Sequence, residues 1–178
     1  MAALIEAARA PDYPAEITGV LSNRAAAPGL ETAATHGIAT ASLAQSRFPS
    51  REMFEDTMTQ VLEGWEVDFV CLAGFMRILG EDFVNRWAGK LINIHPSLLP
   101  DYKGLDTHER VLADGGKEHG CTVHFVTPGL DEGPAILQAR VPVLLGDTPE
   151  TLAARVLVEE HRIYPEALRM LASGEVQF

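Results

Sequence analysis

Basic residues and long apolar runs are scarce in this sequence. It has 14 Lys and Arg against 25 Asp and Glu, which gives a formal net charge of −11. Such a charge disfavours nonspecific attraction to nucleic acid and to anionic membranes, so we expect neither as a partner. No apolar run approaches the roughly twenty residues of a membrane-spanning helix, and the first ten residues lack the basic start of a signal peptide. These absences predict a soluble, cytoplasmic protein.

Cysteine is also scarce. The only two, Cys71 and Cys121, lie in apolar, strand-like segments. Their spacing fits neither a disulfide framework nor a metal site, so we expect two buried free thiols. The histidines are scattered without the spacing of metal ligands, and the sequence therefore predicts no metal ion.

The rest of the composition suits one globular domain over residues 1–178. Hydrophobic residues make up 47% of the chain, and 15 Gly and 11 Pro are spread along it. No repeat, low-complexity tract or linker divides the sequence. A chain of this size can bury a substantial core without a second domain.

Helix-like and strand-like segments alternate along the chain. Strands are predicted at residues 16–22, 38–41, 67–73, 91–95, 120–127 and 135–143. Helices are predicted at residues 1–10, 29–36, 50–64, 104–113 and from Thr148 onward, where Pro165 is expected to kink or divide the last helix. The alternation indicates an α/β layer fold with a largely parallel sheet, whose ligand cleft lies at the carboxyl ends of the strands.

Asn93 and His95 stand two residues apart at the end of a predicted strand. Alternate residues of a strand point to the same side, so these side chains should lie next to each other where the sheet opens into a loop. A fixed amide and an imidazole that can give up a proton suit acyl chemistry at neutral pH. Either residue alone would be weak evidence.

Three segments carry a more specific signal. Residues 93–108 read NIHPSLLPDYKGLDTH, residues 120–138 read GCTVHFVTPGLDEGPAILQ, and residues 159–165 read EEHRIYP. Together they resemble the folate-dependent formyltransferases, most closely the purine-biosynthetic members, over nearly the whole chain. The resemblance implies a Rossmann-like formyltransferase fold with a mostly parallel sheet flanked by helices. It also implies formyl transfer from the co-substrate 10-formyltetrahydrofolate to the amine of glycinamide ribonucleotide.

The resemblance implies a catalytic trio, because Asn93, His95 and Asp131 match family residues that act together. Formyl transfer needs donors for an oxyanion and a proton for the leaving nitrogen. His95 is expected to donate to the oxyanion or to pass a proton, and Asn93 to supply an amide donor, while Asp131 stabilises the protonated imidazole. For His124 two roles stay open: a strand residue bonded to a backbone carbonyl, or a residue at the edge of the active site.

The resemblance also implies which residues bind the two substrates. The positions that match folate contacts are Arg51, Met76, Arg77, Ile78, Leu79 and Asn93. An apolar segment suits a flat pterin ring, and an arginine suits a carboxylate. Glu160 matches a carboxylate that contacts the ribonucleotide. From the residues alone, Arg77 and Glu160 could instead be solvated. Met76, Ile78 and Leu79 could equally belong to the core.

The opening residues, MAALIEAARA, resemble the first helix of such a domain. In the family, a strand and a glycine-rich loop that holds the substrate phosphate come before this helix. We therefore expect the first strand of the sheet to be missing, and we expect the 178-residue chain to bind the ribonucleotide poorly.

Three alternative functions stay open. A methionyl-tRNA formyltransferase shares the trio but needs a nucleic-acid-binding domain and a basic face. A formyltetrahydrofolate hydrolase also shares the trio and carries a regulatory domain ahead of it. The third alternative is a folate-binding chain without catalysis. The expected partners are small-molecule substrates, in a monomer or a homodimer.

Overall fold

The structure, a computed structural model, describes residues 1–178, and its helices and strands alternate except near the end of the chain, where two strands follow each other. The strands are β1 (Gly19–Ser22), β2 (Ala39–Ser42), β3 (Val70–Leu72), β4 (Leu91–His95), β5 (Glu118–Phe125) and β6 (Ala135–Pro142). The helices are α1 (Ala2–Ala7), α2 (Pro28–Thr35), α3 (Arg51–Gly64), α4 (Glu81–Arg86), α5 (Thr107–Ala113) and α6 (Pro149–Ala172). The predicted α/β fold is confirmed.

The strands form two sheets. β1 and β2 pair in parallel, and the second sheet has the order β3-β4-β5-β6. β3 and β4 are parallel, whereas β5 is antiparallel to both β4 and β6. Because β3 and β4 run in the same direction, their carboxyl ends lie at one edge of the sheet, where Leu72 is the register partner of Asn93. The loop after β3 therefore starts beside the predicted catalytic strand.

Strand β4 is covered on both faces. Ile92 belongs to the larger buried cluster, which packs α6 residues such as Val156 against the sheet. Leu91 belongs to a second cluster with Phe54 of α3 and Phe83 of α4. Burial on both faces explains why this strand begins with consecutive apolar residues. It also fixes the position of the polar side chains at its end.

Local capping sets where the long helices begin. The Ser50 hydroxyl accepts a hydrogen bond from the Met53 N–H at 3.2 Å, so α3 starts as predicted. Helix α6 starts at Pro149 behind the capping residue Thr148, which is also as predicted. None of the helices combines the length and the apolar character needed to cross a membrane.

Among the predicted boundaries that differ in the structure, three have a clear physical reason. Strand β3 is shorter than residues 67–73, because only Val70–Leu72 has register partners on β4. Helix α5 starts at Thr107 and not at residue 104, since Gly104 and Asp106 have φ values of 77° and 56°. Helix α6 continues through Pro165 without division. Buried residues on both sides of this proline, among them Tyr164 and Leu168, hold the helix together against the lost backbone hydrogen bond.

Candidate active site

The structure brings the predicted trio together at the end of β4. Asn93 and His95 point to the same face of the strand, and their register partners on β5 are His124 and Thr122. The loop after β5 brings Asp131 to the same place, with its Oδ2 atom 3.4 Å from His95 Nδ1. His95 is 5% exposed, so the interaction lies in a largely water-excluded environment.

The backbone fixes the orientation of the His95 ring. Nε2 lies 2.9 Å from the carbonyl oxygen of Tyr102, which can only accept, so Nε2 carries a hydrogen and donates it. Nδ1 is therefore the ring nitrogen that faces Asp131 and the open site. Since Nε2 keeps its hydrogen, Nδ1 is the nitrogen at which the ring can gain or lose a proton.

Asp131 is placed by an unusual backbone conformation. Its φ is 51°, in the left-handed region that few residues other than Gly, Asn and Asp adopt. Its Oδ2 atom accepts a hydrogen bond from the Gly104 N–H at 2.9 Å. The carboxylate is thus shared between His95 and the loop that carries the Tyr102 carbonyl, and it ties the two together.

His124 fulfils both of the roles that the sequence left open. Its Nδ1 lies 2.8 Å from the carbonyl of Phe125 and so donates to it, which leaves Nε2 as an acceptor for the Asn93 amide Nδ2 at 3.3 Å. Burial lowers the pKa of His124, although Asp131 opposes this shift, so the ring stays neutral. A neutral His124 therefore holds the Asn93 amide with its second N–H available.

A group of hydroxyls that the sequence did not reveal pins the loop after β4. Thr122 Oγ1 donates to the Ser97 carbonyl at 2.7 Å and accepts from the Leu99 N–H at 3.1 Å. Thr107 Oγ1 donates to the Pro96 carbonyl at 2.7 Å. All three partners are backbone groups more than ten positions away in sequence, so no local motif indicated them.

The predicted folate-binding residues lie on two neighbouring elements. Arg51 opens α3 and is half exposed. The other predicted residues follow β3; Met76 and Ile78 are 70% and 72% exposed, Arg77 is exposed, and Leu79 packs against the smaller cluster. Leu79 thus anchors this loop in the core, whereas the exposed side chains of Met76 and Ile78 form an apolar surface. Such a surface is suited to a flat apolar ligand.

Glu160 lies apart from the trio. It lines a cavity of about 210 Å³ together with Gly74, Ile94 and Tyr164. Ile94 points to the opposite face of β4 from Asn93 and His95, so the cavity lies on the α6 side of the sheet. Burial raises the pKa of the Glu160 carboxyl.

Potential metal ligands and thiols are the other groups that could carry chemistry. No group of three or more His, Cys, Asp or Glu side chains is arranged to hold a metal ion. Both cysteines are free, and burial raises the pKa of each thiol, Cys71 and Cys121, to about 12. Thiols with such pKa values are poor nucleophiles at neutral pH.

An α/β fold that gathers an amide, an imidazole and a carboxylate where β4 ends has the arrangement of an enzyme that acts on acyl groups. A sequence model described as formyl transferase matches residues 1–168. The chain belongs to the formyl transferase family.

Curated and solved proteins agree with this assignment. Phosphoribosylglycinamide formyltransferase of Escherichia coli is 47% identical over 175 residues, which are 98% of this chain and 82% of that protein. A solved structure of that enzyme from Coxiella burnetii is 48% identical with a TM-score of 0.94, covering 99% of this chain and 83% of that one.

Some relatives are much longer. The trifunctional purine biosynthetic protein adenosine-3 of Bos taurus is 50% identical over 175 residues, but this chain spans only 17% of its length. The likeness to that protein is therefore confined to one part of it.

Proposed function

We propose that this chain transfers the formyl group of 10-formyltetrahydrofolate to the amine of glycinamide ribonucleotide, a step of purine biosynthesis. The convergence of Asn93, His95 and Asp131 at the end of β4 is the observation that carries the proposal. Relatives named phosphoribosylglycinamide formyltransferase support this choice of substrates.

The reaction begins when the uncharged amine attacks the formyl carbon. A C–N bond forms, and the carbonyl oxygen takes on negative charge. Asn93 donates its second amide N–H to this oxygen, and His95 Nδ1 donates the other hydrogen bond. Both donors are held before the reaction starts, by His124 and by the Tyr102 carbonyl, so little reorganisation is needed.

Collapse of this intermediate breaks the bond between the formyl carbon and the folate nitrogen. The leaving nitrogen needs a proton, and the attacking nitrogen must lose one. His95 Nδ1 supplies the proton to the folate nitrogen, and Asp131 stabilises the imidazolium before the transfer. The ring can then accept the proton that the new amide releases, which returns it to its starting state.

The co-substrate binds along the loop after β3. This loop begins beside Asn93, because Leu72 and Asn93 are register partners. The exposed Met76 and Ile78 contact the pterin ring, and Arg51 binds a carboxylate of the glutamate tail. Arg77 lies on the same loop and adds positive charge for this anionic ligand in a chain of net charge −11.

Glu160 contacts the ribonucleotide from the α6 side of the sheet. The cavity that it lines also contains Gly74, at the start of the same loop, so the two substrates approach from either side of this segment. Two free cysteines without a disulfide suit the reducing cytoplasm as the compartment of the reaction.

The decisive experiment is a turnover assay of the purified chain with 10-formyltetrahydrofolate, with and without glycinamide ribonucleotide. We expect loss of the formyl group only when the ribonucleotide is present, together with formylated ribonucleotide as product. Release of formate without the ribonucleotide would instead indicate a hydrolase. Binding of the folate without turnover would indicate a non-catalytic chain.

A further inference from the structure

Glu55 is a buried carboxylate that the proposed chemistry does not use. It lies in the second turn of α3 and is 6% exposed. A buried carboxylate is costly unless hydrogen bonds and opposite charges compensate it. The groups that compensate the Glu55 carboxylate therefore indicate its role.

Both partners of Glu55 belong to the proposed folate site. Its Oε1 atom accepts a hydrogen bond from the backbone N–H of Gly80 at 2.9 Å, at the end of the loop that carries Met76 and Arg77. The same Oε1 atom lies 3.8 Å from Nε of Arg51, one helical turn earlier on α3. One carboxylate thus links the two elements on which the folate contacts are proposed to lie.

The side chains of Glu55 and Arg51 pack closely against Gly80. A Cβ atom on Gly80 would lie 2.7 Å from Glu55 Oε2 and 3.4 Å from Arg51 Nε. The backbone of Gly80 has φ −72° and ψ 156°, which any residue can adopt. A side chain at position 80 would therefore displace the Glu55 and Arg51 side chains, although the conformation of the loop would tolerate it.

Arg51 is also accessible to a ligand. Its Nε is the guanidinium nitrogen nearest to Glu55, at 3.8 Å, and its side chain is 48% exposed. A half-exposed guanidinium beside one carboxylate can still bind a second one through its planar fork of N–H groups.

We propose that Glu55 is a positioning residue for the folate co-substrate. It holds the Arg51 guanidinium and the loop that ends at Gly80 in one relative orientation, so that Arg51 meets the carboxylate tail while the loop holds the ring. This inference rests on the proposed function. It predicts that Glu55 acts on the recognition of the tail and leaves the chemistry at His95 unchanged.

The test uses Glu55→Gln in the full chain. Glutamine keeps an oxygen that can accept from the Gly80 N–H but loses the charge beside Arg51. We expect KM for 10-formyltetrahydrofolate to rise about tenfold, as the loss of one charge-assisted contact predicts. We expect kcat and KM for the ribonucleotide to change less than about twofold. Asp56→Asn, at the exposed neighbouring position on α3, is the matched control and should leave all constants unchanged.

A second substitution tests the same contact from the other side. Gly80→Ala keeps an allowed backbone but pushes the new methyl group against Glu55 and Arg51. We expect the same selective rise in KM for the folate. A formylated pteroic acid that lacks the glutamate adds a readout of specificity, since wild-type chain should prefer the complete folate and Glu55→Gln should lose most of this preference.

The outcomes separate the inference from the proposed function. If melting temperature and kcat fall in both variants while KM for the folate stays the same, Glu55 has only a structural role and the inference is wrong. An unchanged preference for the glutamate-bearing folate in Glu55→Gln would also overturn it. If the wild-type chain itself turns over no formyl folate in the presence of the ribonucleotide, the proposed function fails instead.

Discussion

Asp131 contacts two parts of the site with one carboxylate. A substitution that removes its charge but keeps its shape can test the charge by itself. Its Oδ2 atom is 3.4 Å from His95 Nδ1 and accepts the Gly104 N–H. Asp131→Asn keeps the size of the side chain and tolerates the φ of 51°. We predict that it lowers kcat by about 10²- to 10⁴-fold, because the protonated imidazole loses its counter-charge, with little change in melting temperature.

A matched control for this prediction lies in the same region. Asp106, at the N-cap position of α5, also has a left-handed backbone, with φ 56°, but its side chain is exposed and makes no capping hydrogen bond. Asp106→Asn should therefore leave turnover and melting temperature unchanged. Near-normal turnover in Asp131→Asn, measured beside this control, would remove the carboxylate from the mechanism.

The hydrogen bond between His124 and the Asn93 amide predicts that His124 acts on catalysis through Asn93. His124→Phe removes the acceptor that orients the Asn93 amide, and we predict that kcat falls about tenfold or more. The same substitution in an Asn93→Ala background should cost little more, because the amide that His124 orients is already gone. Steady-state kinetics of both single variants and the double variant give this coupling directly. Additive losses would show that His124 has a separate role.

At the scale of elements, the loop after β4 is held by hydroxyls and not by its prolines alone. Thr122 is fully buried. Its Oγ1 donates to the Ser97 carbonyl and accepts from the Leu99 N–H and the Gln138 amide. Thr122→Val is nearly isosteric but leaves these groups unpaired, so we predict a loss of about 1–3 kcal/mol in the free energy of unfolding. Thr122→Ser, which keeps the hydroxyl, should lose less than half as much. Chemical denaturation of the two variants measures the difference.

The elements that sequence could predict are those set by neighbouring residues. The cap at Ser50 and the start of α6 at Thr148 are local, and both were found where expected. The trio was also predicted, from a family resemblance across segments. In contrast, the continuity of α6 through Pro165 depends on packing against the sheet, which local patterns do not contain.

Contacts through the backbone were the hardest part of the site to predict. The Tyr102 carbonyl and the Gly80 N–H cannot be recognised in a sequence. Every residue carries a backbone carbonyl, and every residue except proline carries a backbone N–H. Glu55 is bonded to Gly80 across 25 positions, so its amphipathic helix gave no sign of the contact. Only the fold shows that these groups meet functional side chains.

For the molecule as a whole, buried neutral histidines make stability depend on pH. His119 is 1% exposed, and its Nε2 lies 3.0 Å from His108 Nδ1. Burial, followed by the neighbouring His108 and His95, lowers the pKa of His119 from 6.5 to about 4. The unfolded chain then binds a proton that the folded chain does not, in the window between these two values. The stability contributed by neutral His119 is complete above pH 6.5 and is lost as the pH falls toward 4.

This linkage predicts a specific difference between two variants. His119→Gln removes the group that must be kept neutral, so its free energy of unfolding should fall less than that of wild type between pH 7 and pH 4.5, by on the order of 2 kcal/mol. The exposed His36 provides the control, since His36→Gln should follow wild type at both pH values. Urea denaturation at the two pH values measures all three proteins, and comparison between them cancels the contribution of the many carboxylates. An equal loss of stability in wild type and His119→Gln would show that His119 accepts its proton in the folded state as readily as in the unfolded chain, and that its burial beside His108 carries no electrostatic cost.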